Sequence, residues 1–590
     1  MGERMFNQSS KLRLALCAAI FAAGAAAAQT PPPVAAPAPA GANAAAPAPP
    51  LAPETVQVRP ITANVTVTDQ QLLNANSDQD NWLLYGRTYD NQRFSPLTQI
   101  NSGNVKRLTP VAIIQTGIAN SFEDTPIVVN GVMYVVTPTD HVMAYNAVTG
   151  DPLWVYNPVL GYTRLCCGPQ ARGVAVAYGK VFVGRVDGVM VALDARTGKV
   201  VWQSDPATTL PDQPTLFSFT AAPQVYDGMV VTGTGGAEYP IRGFVQAFDA
   251  QTGKVIWRFR TIAAPDEPGG NSWSGDSWKT GGGSVWNSPA FDPAQGMISF
   301  AVGNPNPDIR GEGRPGDNAY TDSIVALNAK DGKLKWWYQQ VPHDVWDWDS
   351  AGPVLFFDAP DASGRMVPAA AEANKQGYLY IVNRQTGALL RRSDSLGLQS
   401  PNMMDLPTLA NDPRYPAASG GAEWSPPSYS PLTHEVYVNA ANVAWIFTTD
   451  ANNGANPNGQ MRVVLDDKTP GSIEPSGTLS AVDVATGKIA WQYKSEFPMI
   501  GGTLATAGNL VFTGELDGYF DAFDAKSGAK LWHFNLGAGV NASPITYRVN
   551  GVQYIAVAAG GNSGNSNNRL AALRGYAPAG DDVAIFAMGN

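Results

Sequence analysis

Two cysteines stand side by side in LCCGPQARG, as Cys166 and Cys167, and the chain has only one other, Cys17. Adjacent thiols are either two reduced core side chains or are bonded to each other in a strained ring. Further along, HDVWDWDSAG carries Asp347 and Asp349. In an extended segment residues i and i+2 point the same way, so these two carboxylates can face one cation. A hard cation wants oxygen ligands; GTGGAEYPIRG offers Glu238 and AVGNPNP offers Asn304. Taken alone, a glutamate belongs first on the surface, and Asp349 is as readily a solvated acid. The cationic candidates are Arg172, within the cysteine stretch, and Lys375 in EANKQGYLY. Trp286, in GGGSVWNS, is by itself a core residue.

What must position these residues is a repeat. The phrase runs small–aromatic–Asp–Ala–x–Thr–Gly–Lys–x–x–Trp and recurs as AYNAVTGDPLW, ALDARTGKVVW, AFDAQTGKVIW, ALNAKDGKLKW, AVDVATGKIAW and AFDAKSGAKLW. These copies end at Trp154, Trp202, Trp257, Trp336, Trp491 and Trp532; a seventh, IVNRQTGALLR, has Arg391 at the Trp position. Each copy reads as a hairpin, with Asp or Asn capping the turn, Gly at positive φ and Trp four residues after the Gly. Further strands, among them GVMYVVTP, KVFVGRV and NLVFTGEL, lie between copies. Such sheets repeated around an axis predict an all-β protein, an eight-bladed β-propeller with tryptophan-docking repeats. The eighth blade is expected from GVQYIAVAAG together with the region from Asn81 to Gly117. The long intervals from Gly253 to Gly332 and from Gly387 to Gly487 are expected to hold loops over one face, where function sits.

The bulk properties agree. With 60 Gly and 46 Pro in 590 residues the chain suits a turn-rich β fold, and all-β closed architectures can be large single domains. A formal net charge of −10 supplies no phosphate-neutralising surface, which argues against a nucleic-acid partner. Lys11 and Arg13, the apolar run Leu14 to Ala25 and AAAAQ read as an export signal over 1–28. A Pro/Ala-rich disordered linker is expected over 29–56, the propeller over 57–576 and a C-terminal tail over 577–590. No later segment reads as a membrane span. Export would leave only Cys166 and Cys167 in an oxidising compartment, able to bond to each other or to another chain.

The repeats, the cysteine pair and the acidic motifs together resemble the pyrroloquinoline quinone (PQQ)-dependent alcohol dehydrogenases of the soluble type. The resemblance runs from about Asn81 to Gly561, with motifs from different blades in the family's order. It implies a vicinal disulfide of Cys166 and Cys167 stacked on one face of PQQ, with Trp286 on the other face and Ser284 as a polar contact. It implies cofactor contacts from Glu123, Arg172, Thr220, Gly236, Ala237 and Lys375, the last beside the quinone oxygens. Glu238 and Asn304 match metal ligands, and Asp347 matches the base that takes the alcohol proton while hydride passes to the cofactor. Family members that use lanthanides carry a second aspartate at the position of Asp349. The implied metal is therefore one lanthanide(III) ion or Ca2+, joined by Asp347 and Asp349.

The sequence departs from the family at two places. Glu423 in GGAEW stands where Asn is common, and Ile500 in FPMIGG stands where an aromatic is common, which suggested a wider substrate funnel. No Cys-x-x-Cys-His haem motif occurs, so electrons are expected to leave to a soluble cytochrome c. The expected protein is a periplasmic alcohol dehydrogenase, monomer or homodimer. The competing reading is a non-catalytic propeller serving as a docking scaffold, which has no need of Glu238, Asn304 or Asp347. A membrane-bound sugar dehydrogenase would want helices that the sequence lacks.

Overall fold

In each repeat the chain turns on a side chain and a glycine. Asp194 accepts from the backbone N–H of Arg196 and Thr197, at 3.1 and 2.9 Å, and from the Thr197 hydroxyl at 2.8 Å. Gly198 follows at φ 70°, a conformation other residues rarely adopt. The same turn recurs at Gly150, Gly253, Gly332, Gly387, Gly487 and Gly528, all at φ between 68° and 73°. The strands on either side pair antiparallel, as between Met190–Asp194 and Val200–Ser204.

The computed structural model describes residues 54–161, 167–204, 217–407, 413–448, 460–463, 474–561 and 579–589. All belong to one unit, Ala52–Asn590. Their sheets form eight blades of an all-β propeller, each an antiparallel four-stranded core. The first blade, for example, runs outward through Ile127–Val129, Val132–Val136, Val142–Asn146 and Pro152–Asn157. Its innermost strand is wholly buried, whereas the outermost strand of the next blade, Val200–Ser204, alternates between exposed and half-buried.

The repeat tryptophans weld neighbouring blades. Trp154, Trp202 and Trp257 donate their indole N–H to the carbonyls of Ala195, Ala250 and Ala329 in the following blade, at 3.1 to 3.2 Å. Trp336, Trp491 and Trp532 do the same to Arg384, Ala525 and Leu108. Arg391 replaces the missing indole with a guanidinium bonded to the Val484 carbonyl. All of these indoles but Trp532 also lie against the turn glycine of the next blade: a Cβ on Gly253 would sit 2.6 Å from Trp202 Cε3. Glycine is thus required both for its dihedral and for contact with the ring.

A strap near the N-terminus threads the free edges of the innermost strands, the edges that a sheet must otherwise protect. Tyr89, Asp90, Gln92 and Arg93 offer their carbonyls to the N–H groups of Phe291, Phe356, Tyr429 and Ala505, in the fourth to seventh blades, at 2.8 to 3.1 Å. The Arg93 guanidinium, almost wholly buried, donates to the carbonyls of Thr503, Tyr85 and Pro544 at 2.7 to 2.9 Å. One side chain thereby joins the strap to two blades.

Two expected boundaries change. Residues 582–588, assigned to the tail 577–590, form the strand Asp582–Met588 between Leu108–Gln115 and Val552–Ala559. The eighth blade therefore combines strands from both ends of the chain, and the VAIF apolar run within it is a core strand. Glu54–Gln57, at the end of the expected linker 29–56, is a strand paired with Pro152–Asn157. The expected signal peptide and the rest of the linker lie outside the described residues. No helix among the described residues is long and apolar enough to cross a membrane.

Candidate functional site

Two kinds of segment reach the same face of the ring. One precedes the innermost strand of a blade, and the other follows the second strand; antiparallel pairing puts both at one end. The first kind brings Glu123, Arg172, Thr220, Trp286, the 347–349 pair and Glu423–Trp424. The second brings Gly236–Glu238, Asn304 and Lys375. They converge on a cavity of about 270 Å³, lined among others by Cys167, Arg172, Thr220, Gly236, Glu238, Ser284, Trp286, Asp347, Asp349, Lys375, Glu423 and Trp424. That is at the small end of ligand pockets, roughly 300–1,000 Å³, and suits one flat molecule.

At its centre Lys375 Nζ lies 3.3 Å from Asp347 Oδ1 and 3.2 Å from Asp349 Oδ2. Asp349 is held from two more sides: the Trp286 indole donates to Oδ2 at 2.9 Å, and the Asn304 backbone N–H donates to Oδ1 at 2.5 Å. The chain passes this close to Asp349 at Gly303, where a Cβ would stand 2.9 Å from Asp349 Oδ1 and 3.0 Å from Ser284 Oγ. Asp344 anchors the acidic loop by accepting from the N–H groups of Trp346 and Trp348 at 3.0 and 2.9 Å. Trp346 and Trp348 stack on each other, with centroids 4.8 Å apart. The expected convergence of Asp347 and Asp349 is present, but not through an extended strand: Asp347 has φ 59°, the left-handed region that Asp tolerates.

Burial governs the titration here. It pushes the Asp347 carboxyl well above the carboxylate range, against the pull of Lys375 and with the help of Asp349, Asp308 and Glu238. Burial alone would lower the Lys375 ammonium, but Asp347 and Asp349 hold it well above its ordinary value. Glu423, buried beside them, is raised to about 7 by desolvation.

On the other side Arg172 is clasped between two rings, its Cζ 4.7 Å from the Trp286 centroid and 5.0 Å from that of Trp424. Its Nη2 pairs with Glu123 Oε2 at 2.8 Å, with both side chains at most 1% exposed. Ser121 donates to the other Glu123 oxygen at 2.9 Å. Glu123 therefore stands behind Arg172 and does not line the cavity. Arg172 Nε is buried without an acceptor, which is a donor suited to an anionic or carbonyl group. Cys167 Sγ lies 3.7 Å from Glu238 Oε1. Cys166 lies outside the described residues, and the expected ring of the pair with it.

Asn304 and Ala237 are fully buried behind the lining residues. Asn304 Oδ1 meets no donor, while its Nδ2 donates to Asp308 Oδ1 at 3.0 Å. Among the described residues no three His, Cys, Asp or Glu side chains form a ready-made cation cage. The donor set nevertheless fits a hard cation: one buried amide oxygen lacks a partner, and Glu238, Asp308, Asp347 and Asp349 crowd a single ammonium. So many buried carboxylates are costly without further positive charge.

Sequence reasoning missed Asp308 and Trp424. Nothing in NPNPDIRG marks Asp308 as buried, whereas Trp424 precedes its innermost strand at the same offset as Trp286. Ile500 is 1% exposed and packs with Ala417, Val443, Phe497 and Leu516. It does not line the cavity, so the wider funnel it suggested is not formed there.

Residues 82–394 and 388–555 match the family model described as PQQ glucose/ethanol/alcohol dehydrogenase, beta-propeller domain. The quinohemoprotein alcohol dehydrogenase ADH-IIG of Pseudomonas putida is 36% identical over 543 residues, 85% of this chain and 75% of that one. The quinoprotein alcohol dehydrogenase PedH of Pseudomonas putida is 33% identical over 539 residues, 84% and 89% of the two chains. The solved structure of ADHIIG superposes with a TM-score of 0.80 at 33% identity, over 89% of this chain and 82% of that one. A europium-containing methanol dehydrogenase superposes with a TM-score of 0.79 at 27% identity, over 88% and 100%. The matched model and the relatives cover most of the propeller and its central cavity, and the chain belongs to the family of PQQ-dependent alcohol dehydrogenases.

Proposed function

We propose that this protein oxidises an alcohol to an aldehyde or ketone with Asp347 as the base, PQQ as the hydride acceptor and one metal ion as electrophile. The observation that carries this reading is the convergence of Asp347 and Asp349 on the buried Lys375 ammonium, in a cavity walled by Trp286. Bound PQQ supplies an electrophilic quinone carbonyl, which the cation polarises.

The chain's residues divide the remaining work. Asp347 accepts the hydroxyl proton of the alcohol; burial raises its basicity, and Lys375 pulls the other way. With the two aspartates engaged by a metal, Lys375 would be the donor to the quinone oxygens. Trp286 forms one wall, oriented by its bond to Asp349, and the cysteine pair Cys166–Cys167 the opposite one, as a vicinal disulfide. Arg172, Thr220, Ser284 and Gly236 hold the polar rim of the cofactor, and Ala237 backs them. Glu123 fixes Arg172 from behind. Glu238, Asn304, Asp347 and Asp349 would hold the metal. A lanthanide(III) ion suits this set better than Ca2+, because Asp349 adds a charge that a trivalent ion offsets more fully. With no Cys-x-x-Cys-His in the sequence, electrons leave to a separate soluble cytochrome c. The export-like N-terminus supports a periplasmic site for this exchange.

The test is reconstitution. Full-length protein with PQQ and either La3+ or Ca2+ should reduce a dye with primary or secondary alcohols, more strongly with La3+. Asp347→Asn should keep PQQ in equilibrium dialysis and lose turnover by about 10²–10⁴-fold. No turnover with either metal refutes the enzyme reading; turnover with Ca2+ alone refutes the part given to Asp349.

A further inference from the structure

Asn304 is an ambiguous ligand. Its amide can turn either its oxygen or its NH2 to a neighbour, and only the oxygen can bind a cation. Something other than the cation must choose between the two if the site is to be formed in advance.

Three contacts make the choice. The Asn304 backbone N–H is fixed on Asp349 Oδ1 at 2.5 Å, which sets where the side chain begins. Nδ2 then donates to Asp308 Oδ1 at 3.0 Å and, more weakly, to the Pro305 carbonyl at 3.3 Å. In its ionised form, which a bound cation favours, Asp308 only accepts, so the reverse orientation would set two oxygens against each other and turn N–H groups to the cation. Oδ1 remains buried without a donor. Asp308 itself is 1% exposed, and Arg314 braces its segment by donating to the carbonyls of Pro307 at 2.8 Å and Asp308 at 3.2 Å. Asp308 is thus held by the fold, and it interacts electrostatically with both Glu238 and Asp349.

We propose that Asp308 is a positioning residue of the metal site: it locks Asn304 with its oxygen presented as a ligand, and it strengthens binding of a trivalent ion more than of a divalent one. The proposal rests on the metal-dependent reading given above. Residues that orient a ligand in this way typically change metal affinity about 10–100-fold when removed. Charge adds a signature that packing alone does not. The Coulomb energy scales with ion charge, so a tenfold loss for Ca2+ caused by removing one negative charge corresponds to roughly a thirtyfold loss for Tb3+.

Full-length protein saturated with PQQ is dialysed against Tb3+ or Ca2+, and bound metal is counted by elemental analysis. Asp308→Asn keeps an acceptor for Asn304 Nδ2 and removes only the charge; it should weaken Tb3+ more than Ca2+. Asp308→Ala removes both and should weaken the two ions by a further factor. Circular dichroism and unfolding of Asp308→Asn confirm the fold. Wild-type affinity for both ions in Asp308→Ala overturns the proposal, as does an equal loss for both ions in Asp308→Asn. Failure of the wild-type protein to bind either ion overturns the metal reading itself, and the proposal with it.

Discussion

Glu423 should make the protein less stable as pH rises from about 4.5 to 7. The side chain is 8% exposed, lines the cavity, and leaves Oε2 without a donor. Burial raises its carboxyl from 4.5 to about 7; Glu123 and Asp349 push the same way, while Lys375 and Arg172 pull against them. The sign follows from proton counting. Between those two values the unfolded chain has released the proton that the folded protein keeps, so the folded state binds more protons and its stability falls with pH. At about 1.4 kcal/mol per unit, the interval from 4.5 to about 7 amounts to ~3 kcal/mol of stability, fully present below pH 4.5 and lost above pH 7. Asp347 and Asp308 are raised too and bend the wild-type profile in the same direction. The measurement is therefore a difference. Glu423→Gln and wild type, both free of PQQ and metal, are unfolded in urea at pH 4.5 to 8 and followed by tryptophan fluorescence. The variant should gain on the wild type by ~3 kcal/mol across that range. Two profiles separated by a constant offset would show that Glu423 is ionised throughout, and the account of its burial would be wrong.

Other outcomes follow from the same geometry. Arg172→Ala strands Glu123 as a buried charge and should cost about 3–5 kcal/mol; adding Glu123→Gln should recover part of that loss in the same urea assay. Trp202→Phe keeps a ring but loses the 3.2 Å bond to Ala250, a cost of about 1 kcal/mol. Gly253→Ala meets both φ 72° and the Trp202 ring, and should cost about 1–3 kcal/mol in a thermal melt. A chain ending at Gly580 lacks the strand Asp582–Met588 and leaves Leu108–Gln115 without its partner. It should express as insoluble protein; a soluble product with one cooperative transition would refute the closure of the ring by that strand.

The propeller was legible because its signal is local. A turn that needs a capping Asp, a glycine at positive φ and a tryptophan four residues on lies within one short phrase, and a gap such as Arg391 still shows by position. The last blade was misjudged at its end because Asp582–Met588 carries no such phrase. One of its two partners, Leu108–Gln115, lies toward the opposite terminus, and only closure of the ring brings the two together. The same distance hid which residues of the site touch. Arg172 meets Glu123 and Trp424, and Trp286 meets Asp349, across blades far apart in sequence. Asp308 is near Asn304 in sequence, yet the role of its side chain depends on burial that no residue type announces.

One regularity connects the two levels. Glu123, Thr220, Trp286 and Trp424 each stand four residues before the innermost strand of their blade. Once the repeats define the blades, that offset says which positions look toward the axis, whatever residue fills them. In the seventh blade it gives Ile500, and in the eighth Asn541. Ile500 fills its place with an apolar cluster, whereas Asn541 is fully buried with neither amide atom hydrogen-bonded to protein. The offset is thus a property of the backbone, while chemistry depends on what each blade places there. Five of the eight blades, the second to the sixth, put polar or aromatic groups around the cavity; the seventh closes its sector with hydrocarbon.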